Sequence, residues 1–446
     1  MELLFWFTAF ICFSQGIYRI IFRKDYFNIY TYLLIGINLP LLMYFLKWST
    51  LIEDGIAPVF YFIFIILNML VILANLVDRR TINEKVIIIK AKKNKGVLLA
   101  INIVYFGLTC LENYLGSGYI FPALHNVDIH TYSAPFISYF TNSLFVVLLA
   151  NFLYWYTTKK RIYLFGIVFF ILLLMIGKSS RMIVLISFIQ LMSFAFFLYI
   201  NDKKLGRYVR KKFFKNKKQK YVFVIFGILL ILFMVKYTDY RMSHYGKYDI
   251  NYADTIGYSG PETFKNVISV YYGYFPMSLN NLNINIKYRD IYPNYIGLYS
   301  YKCLYFGILR IHNIFDLNPY QPEVGGLYAS KSATVPTGFF DFYYDFGFLC
   351  IIPIFIAILI YVLLKRIVLR KTSSVGTYAI YFYWVPLWSF MSFQNTIYGS
   401  LVLIVTMILY FIINYLFRIE YINASESNIS KENNDVNSNH NKHITN

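Results

Sequence analysis

Long apolar stretches recur along the chain and are separated by short polar segments. Each stretch is about as long as a helix that crosses a bilayer. Barrel strands alternate apolar and polar residues, so unbroken stretches of this length exclude an outer-membrane barrel. The pattern predicts an all-α polytopic integral membrane protein with about 11 transmembrane helices. The predicted spans are 3–21, 28–46, 59–77, 97–116, 134–155, 162–177, 182–200, 221–236, 347–364, 376–393 and 400–417.

The polar segments between these stretches alternate in charge. The segments on one side hold 30 of the 42 basic residues but only 8 of the 22 acidic ones, and the densest of them is 201–220. The protein is expected in the cytoplasmic (inner or plasma) membrane. Because basic segments stay in the cytoplasm, its N terminus is expected outside the cell membrane and its C terminus in the cytoplasm. Segment 201–220 is interpreted as an orientation anchor, with a regulatory partner site as the alternative.

Composition supports a membrane protein and changes the meaning of the charge. The 446 residues are 58% hydrophobic and only 14% charged, with a mean hydropathy of +0.51, which is outside the range of soluble enzymes. The net charge of +20 is therefore interpreted as a topology signal, and nucleic acid is not expected as a partner. The first stretch lacks a basic region before it and is expected to be a retained helix. The four cysteines fit no disulfide or metal-site spacing.

The spans divide the chain into four parts. Residues 1–236 form a first bundle of eight helices, and 347–417 form a second bundle of three. Residues 418–446 are rich in Asn and Ser and are expected to be a disordered cytoplasmic tail. The outer loop 237–346 holds 19 of the 44 tyrosines and is expected to be a compact cap with short helices around 264–280 and 296–315. Its tyrosines favour a sugar-binding cap, with an interfacial aromatic belt as the alternative.

The first candidate site is the tight outer turn Gly177–Arg181. Arg181 leads directly into the next span, so its guanidinium is expected beside a helix N terminus at the membrane edge. The paired N–H groups of a guanidinium and the free backbone N–H groups at a helix N terminus both bind the anionic oxygens of a diphosphate. An arginine that only marks the helix end is the alternative.

The second candidate is the segment Thr334–Gly347, which leads into the ninth span. Asp341 and Asp345 are four residues apart, so they share one face if the segment is helical. Asp345 is the better candidate for a buried base or for pairing with an arginine, whereas helix capping alone is the alternative for both.

Other candidates lie in the outer loop and in the fourth span. Arg241, Arg289 and Arg310 can meet phosphate or a sugar acid, and His244 and His312 are possible acid–base groups. Glu112, in the outer part of the fourth span, is a costly charge that is expected to have a cationic partner. No metal-ligand cluster, phosphate-binding loop or hydrolase motif is recognisable, so neither a metal nor a cofactor is expected.

These motifs carry a resemblance. The chain resembles the Wzy-type polymerases of O-antigen and capsular oligosaccharide repeat units, which are related to O-antigen ligases. The shared features are a small-Ser-Arg step that begins a mid-chain helix, a large outer loop in the C-terminal half, and an aromatic-Asp-Phe-Gly segment that opens the next helix. In this sequence they are Ser179–Arg181, residues 237–346 and Thr337–Gly347. Lys331–Thr337 contains no histidine, unlike the corresponding segment of the ligases.

The resemblance implies a GT-C-like fold and a metal-independent glycosyltransferase on the outer face of the membrane. The acceptor sugar would attack the anomeric carbon of a glycan carried on undecaprenyl diphosphate. The implied partners are this lipid-linked oligosaccharide, membrane lipid, a flippase and a chain-length regulator. The implied catalytic residues are Arg181, Asp345, Arg241 and Arg289, and the implied substrate-binding residues are Lys178, Ser180, Thr337, Asp341, Tyr344 and His244. A lipid-linked oligosaccharide flippase, or another membrane transferase such as a ligase, is the alternative, although no internal repeat supports a symmetric transporter.

Overall fold

The computed structural model describes most of the apolar stretches and part of the outer loop. Its described residues are 1–77, 79–82, 86–122, 125, 137–178, 181–205, 225, 227, 232, 236, 252–288, 300–301, 329, 335, 337–370, 372–394, 396–397 and 400–421. Most of them are helical. Six helices are long and apolar enough to cross a membrane, which is typical of a polytopic membrane protein. They are Glu2–Ile21, Pro58–Val77, Lys95–Ser117, Ile137–Thr158, Met182–Leu205 and Gly338–Val368.

The regular elements follow the predicted stretches closely in the first half of the chain. They are α1 (Glu2–Ile21), α2 (Ile29–Phe45), α3 (Pro58–Val77), β1 (Ile87–Ala91), α4 (Lys95–Ser117), α5 (Ile137–Thr141), α6 (Leu144–Thr158), α7 (Ile162–Lys178) and α8 (Arg181–Leu205). The outer loop contributes α9 (Tyr252–Thr255), α10 (Lys265–Tyr274) and α11 (Pro276–Lys287). The remainder is α12 (Gly338–Phe346), α13 (Ile351–Val368), α14 (Val375–Trp384), α15 (Ser400–Leu416) and β2 (Phe417–Tyr421). Of the predicted span 221–236, only four residues are described.

Helix α6 lies at the centre of the bundle. Its residues 144–154 are all buried, and it packs against α4, α7, α8 and α15. In contrast, less than a third of the residues in the most apolar stretches of α1 and α4 are buried. Leu99 and Ile103 of α4 are exposed. Apolar side chains on the outside of a bundle are what a helix in contact with lipid requires.

A small sheet corrects the prediction of an all-helical chain. Strands β1 and β2 pair antiparallel, with Ile87 opposite Tyr421 and Ala91 opposite Phe417. Ile87 and Ile89 are buried and Ile88 between them is partly exposed, so the strand turns alternate side chains of a short apolar run toward the core. Residues 418–421 therefore belong to a strand, although the sequence placed them in a disordered tail, and 422–446 lie outside the described residues.

Neighbouring helices hold both ends of this sheet. The side-chain amide of Asn201, on α8, accepts from the backbone N–H of Ile87 at 2.9 Å and donates to its carbonyl at 2.7 Å. Lys92 donates through its backbone N–H to the carbonyl of Leu416 at 2.8 Å and through Nζ to the carbonyl of Asn414 at 2.9 Å. These carbonyls end α15, so the lysine complements the negative end of that helix.

A buried ion pair lies between α1 and α2. Arg19 and Asp25 are in contact at 3.0 Å, with side-chain exposures of 10% and 1%. Arg19 is one of the 30 basic residues assigned to the predicted cytoplasmic side, and its side chain is buried against the carboxylate. A charge at this depth is tolerated because it has a close partner of opposite sign.

Two irregular helix segments meet inside the bundle. Residues Leu34–Asn38 of α2 form a π-helical turn, and α14 continues as the 3-10 helix Val385–Phe390. Gly36 lies directly against the backbone of Ser389, and its carbonyl accepts a hydrogen bond from Ser392. Only glycine permits this approach, because a Cβ would collide with the facing backbone.

The described part of the predicted outer loop, named the cap below, contains short helices. Helices α10 and α11 cover residues 265–287, where the sequence predicted a short helix around 264–280; most of 296–315 lies outside the described residues. The cap shares an apolar core with Met43 of α2, and Tyr252, Tyr258 and Tyr272 are buried in that core. Three of its tyrosines therefore serve internal packing and not a sugar-binding surface.

Candidate functional site

The predicted site residues differ in how far the structure describes them. The side chains of Thr337, Asp341, Tyr344 and Asp345 are described, whereas only the backbone is described for Lys178 and Arg181. Ser180, Arg241, Arg289 and His244 lie outside the described residues. Arg310 and His312 lie outside them as well.

The break between α7 and α8 falls at the Gly177–Arg181 segment. Lys178 is the last residue of α7 and Arg181 is the first residue of α8, so two residues separate the helices. The N terminus of α8 leaves backbone N–H groups without helical partners beside Arg181. A helix start with an arginine in its first turn can bind an anionic oxygen.

The C-terminal end of α4 lies against α7 at Gly177. A Cβ at residue 177 would lie 3.6 Å from Nδ2 of Asn113, whose amide donates to the carbonyl of Ile120 at 2.9 Å. The neighbouring residue Glu112 is fully buried and accepts a hydrogen bond from the hydroxyl of Thr141. The costly charge that the sequence singled out therefore has a hydroxyl partner on α5.

Helix α12 begins before the predicted span and is continuous with it. The sequence placed the boundary between loop and span at 346–347, whereas the helix starts at Gly338 and reaches α13 through a 3-10 turn at Gly347–Cys350. Gly347 has a φ of +58°, which a glycine adopts without a steric penalty. The acidic segment is therefore the first part of one long helical unit, Gly338–Val368.

The start of α12 is bonded to the segment that follows α14. Thr337 occupies the N-cap position with extended backbone angles, and the N–H of Gly338 donates to the carbonyl of Met391 at 2.9 Å. Thr337 is 1% exposed, and its hydroxyl has no hydrogen-bond partner within the described part of the chain. The helix start is therefore attached to the segment that follows α14.

The two aspartates of α12 have different surroundings. Asp345 is 3% exposed, and its carboxylate accepts a hydrogen bond from the backbone N–H of Ser300. The hydroxyl of Ser300 donates to the backbone carbonyl of Asp341 at 3.1 Å, whereas Asp341 itself is partly exposed. Asp345 thus attaches a loop residue to the helix, and Asp341 is the more accessible carboxylate of the pair.

Tyr344, predicted to bind substrate, is 2% exposed. Its ring lies 5.5 Å from that of Phe340, within the core of the bundle. The surroundings of this tyrosine are those of a packing residue, and a direct contact with a sugar would require the ring to move out of the core.

Helix α11 contains a set of buried amides that the sequence reasoning missed. Asn280, Asn281, Asn283 and Asn285 are each at most 1% exposed. Asn280 accepts from the N–H of Glu53 at 3.1 Å and donates to the carbonyl of Leu51 at 3.0 Å; Asn283 does the same with Ala57 and Gly55, at 2.9 Å each. The signal was the composition of PMSLNNLNINIK, since asparagine is unfavourable within a helix unless its side chain has specific partners.

Charged pairs border the 51–57 turn on its exposed side. Lys287 contacts Glu53 at 3.1 Å, and Lys47 contacts Asp54 at 2.7 Å. The hydrogen bond from Lys47 lowers the pKa of the Asp54 carboxyl below its ordinary value. The Lys47–Asp54 pair is exposed to water and contributes little to stability, whereas the Lys287–Glu53 pair is partly buried.

Within the described residues, no group of three or more His, Cys, Asp and Glu side chains is arranged to hold a metal ion. The candidate groups are cations at the start of α8 and carboxylates on α12. Cations of this kind can bind a phosphate-bearing ligand, and carboxylates can orient a hydroxyl. No protein-family model, curated protein or solved structure matches the chain.

Proposed function

We propose that the chain is a metal-independent glycosyltransferase, a polymerase that joins undecaprenyl-diphosphate-linked oligosaccharide repeat units into a surface polysaccharide. The product is an O-antigen, a capsule or an exopolysaccharide, formed on the outer face of the cytoplasmic membrane. In this proposal the chain has eleven spans in a GT-C-like arrangement, with the N terminus outside and the C terminus in the cytoplasm. The alternation of basic loops supports this orientation.

The observation that carries the proposal is the position of Arg181 as the first residue of α8, two residues after α7 ends. The leaving group of the reaction is a diphosphate, and its developing negative charge must be stabilised in a poorly hydrated site. A guanidinium and free helix N–H groups at one point supply that stabilisation without a metal ion. Arg181 therefore binds the diphosphate, and Arg241 and Arg289 close over it.

Helix α12 supplies the carboxylates for the acceptor side. In the proposal Asp341 or Asp345 orients the attacking hydroxyl or accepts its proton while the bond to undecaprenyl diphosphate breaks. Asp345 has the advantage of burial, because a carboxylate removed from water interacts more strongly with a hydroxyl. Asp341 has the advantage of access.

The proposal is tested by Arg181→Ala in cells whose surface glycan is separated on gels. We expect single repeat units in place of long chains, with normal abundance of the protein. The matched control is Arg79→Ala, which removes an exposed arginine from a predicted cytoplasmic loop and should leave chain length unchanged.

Full-length chains in the Arg181→Ala strain would show that the diphosphate role is wrong. A flippase would give a different result, because its loss would remove repeat units from the cell surface altogether. The two activities are therefore distinguished by what remains on the surface.

A further inference from the structure

The buried amide of Asn281 joins the cap to the chain just before α12. Its Oδ1 accepts from the backbone N–H of Ala329 at 3.0 Å, and its Nδ2 donates to the carbonyl of Val335 at 3.2 Å. Val335 is two residues from Thr337, the N-cap of the helix that carries Asp341 and Asp345. One side chain on α11 thus contacts the chain on the approach to the acidic helix.

The neighbouring amides face a different segment. Asn280 and Asn283 are three residues apart, on one face of α11, and both bind the 51–57 turn. Asn281, one position further along the helix than Asn280, points about 100° away from it and reaches Ala329 and Val335 instead. The helix therefore uses identical side chains to hold two separate parts of the chain.

Burial explains why this contact is specific. An amide removed from water is destabilising unless its oxygen and nitrogen are hydrogen-bonded, so Asn281 favours the arrangement in which both its ends are bonded. The carbonyl of Val335 is held by Asn281, and the N–H of Gly338 is held by Met391 at 2.9 Å. The start of α12 is consequently fixed by two bonds, one to the cap and one to the segment after α14.

We propose that Asn281 is a positioning residue for the carboxylates of α12. It contacts neither substrate nor the reacting atoms, and it acts by fixing where the helix that carries Asp341 and Asp345 begins. The inference rests on the proposed polymerase function for its consequence in catalysis, but its structural part can be measured without any substrate.

The test compares Asn281→Leu with Asn280→Leu in the full-length protein purified in detergent. The two residues are adjacent and equally buried, and each side chain bonds a backbone N–H and a backbone carbonyl among the described residues, so their substitution should lower the Tm by similar amounts. Hydrogen–deuterium exchange of residues 337–346 is then measured. We expect faster exchange in Asn281→Leu, including at the Gly338 amide, and wild-type exchange in Asn280→Leu.

A third variant isolates the contact with Val335. Asn281→Asp keeps the acceptor for Ala329 but places an oxygen opposite the carbonyl of Val335, so it should reproduce the exchange of Asn281→Leu. Equal exchange of residues 337–346 in the Asn281 variants and in Asn280→Leu would overturn the proposal, because the amide would then contribute only general stability.

The kinetic readout links the contact to the site. In chain extension by purified protein, Asn281→Leu and Asn281→Asp should lower kcat by at least about tenfold with little change in KM, because small displacements of a catalytic group are costly. Asn280→Leu should retain most of the wild-type kcat. An equal fall of kcat in Asn280→Leu and in the Asn281 variants would refute a positioning role for Asn281. If the wild-type protein extends no glycan chain, the proposed polymerase function is wrong. The hydrogen–deuterium exchange of residues 337–346 would still decide whether Asn281 fixes the start of α12.

Discussion

The close approach of Gly36 to Ser389 provides a sharp test of the fold. A Cβ at residue 36 would lie 2.5 Å from the carbonyl oxygen of Ser389 and closer still to its Cα and carbonyl carbon. Ordinary contact begins near 3.4 Å, so Gly36→Ala must separate the two backbones by roughly 1 Å. The atoms that face the new Cβ are backbone atoms of Ser389 in a packed bundle, so no side chain can rotate away to relieve the contact.

Overpacking of this kind costs about 1–3 kcal/mol of unfolding free energy. The separation also strains the hydrogen bond from Ser392 to the carbonyl of Gly36. Because Met391, beside Ser392, accepts from the N–H of Gly338, the displacement should extend to the start of α12. We therefore expect Gly36→Ala to lower both the Tm and the polymerising activity.

The assay is thermal unfolding of the detergent-purified protein, followed by intrinsic fluorescence. The matched control is Gly107→Ala on α4, where a new Cβ has nothing within 4 Å. That control should unfold at the wild-type temperature or slightly above it, since alanine favours a helix. Equal Tm values for Gly36→Ala and Gly107→Ala would refute the contact between the two irregular helix segments.

Three further substitutions test other parts of the structure. Asp25→Ala leaves Arg19 buried without this carboxylate and should lower the unfolding free energy by about 3–5 kcal/mol, whereas replacing both residues by apolar ones should recover part of the loss in the same thermal assay. Asn201→Leu strands the backbone N–H and carbonyl of Ile87 and should cost about 1–3 kcal/mol for each stranded group, seen as a lower Tm and faster exchange of 87–91. Tyr271→Phe should cost about 0.5–1.5 kcal/mol through the loss of one hydrogen bond. Burial raises the pKa of Tyr271, so this bond stabilises the fold below the ordinary value of 10.0, and the difference between variant and wild type should shrink above that pH.

Helices that are single apolar runs were predictable from the sequence. Glu2–Ile21 and Pro58–Val77 lie within a residue or two of the predicted spans, because hydropathy alone determines where such a helix can begin and end. The Gly177–Arg181 turn was predictable for the same reason, since small and charged residues interrupt two apolar runs.

Elements that depend on distant parts of the chain were not predictable. Strand β1 pairs with β2 more than 300 residues later, and its five residues lie in a basic segment with no turn signal to suggest a hairpin. The π-helical turn Leu34–Asn38 exists because it faces Ser389 and Ser392, which local sequence does not encode. Pairing and packing over such distances override local preference.

The candidate site was predictable in residue type more than in geometry. The spacing of Asp341 and Asp345 indicated a shared helix, but it did not indicate that Asp345 would accept a bond from Ser300 or that Tyr344 would lie in the core. The sequence predicted a short helix around 264–280 but not the role of the asparagines of α11, because that role depends on partners at 51–57 and 329–335 that only the folded chain brings near.

Chain extension by the purified protein tests the central claim most directly. Wild-type protein in detergent or nanodiscs is given undecaprenyl-diphosphate-linked repeat units in the presence of EDTA, and product length is read on a gel. The proposed chemistry predicts a ladder of extended glycans in EDTA for the wild type and none for Arg181→Ala. Products that stay one repeat unit long, or that lengthen only when a divalent ion is added, would contradict it.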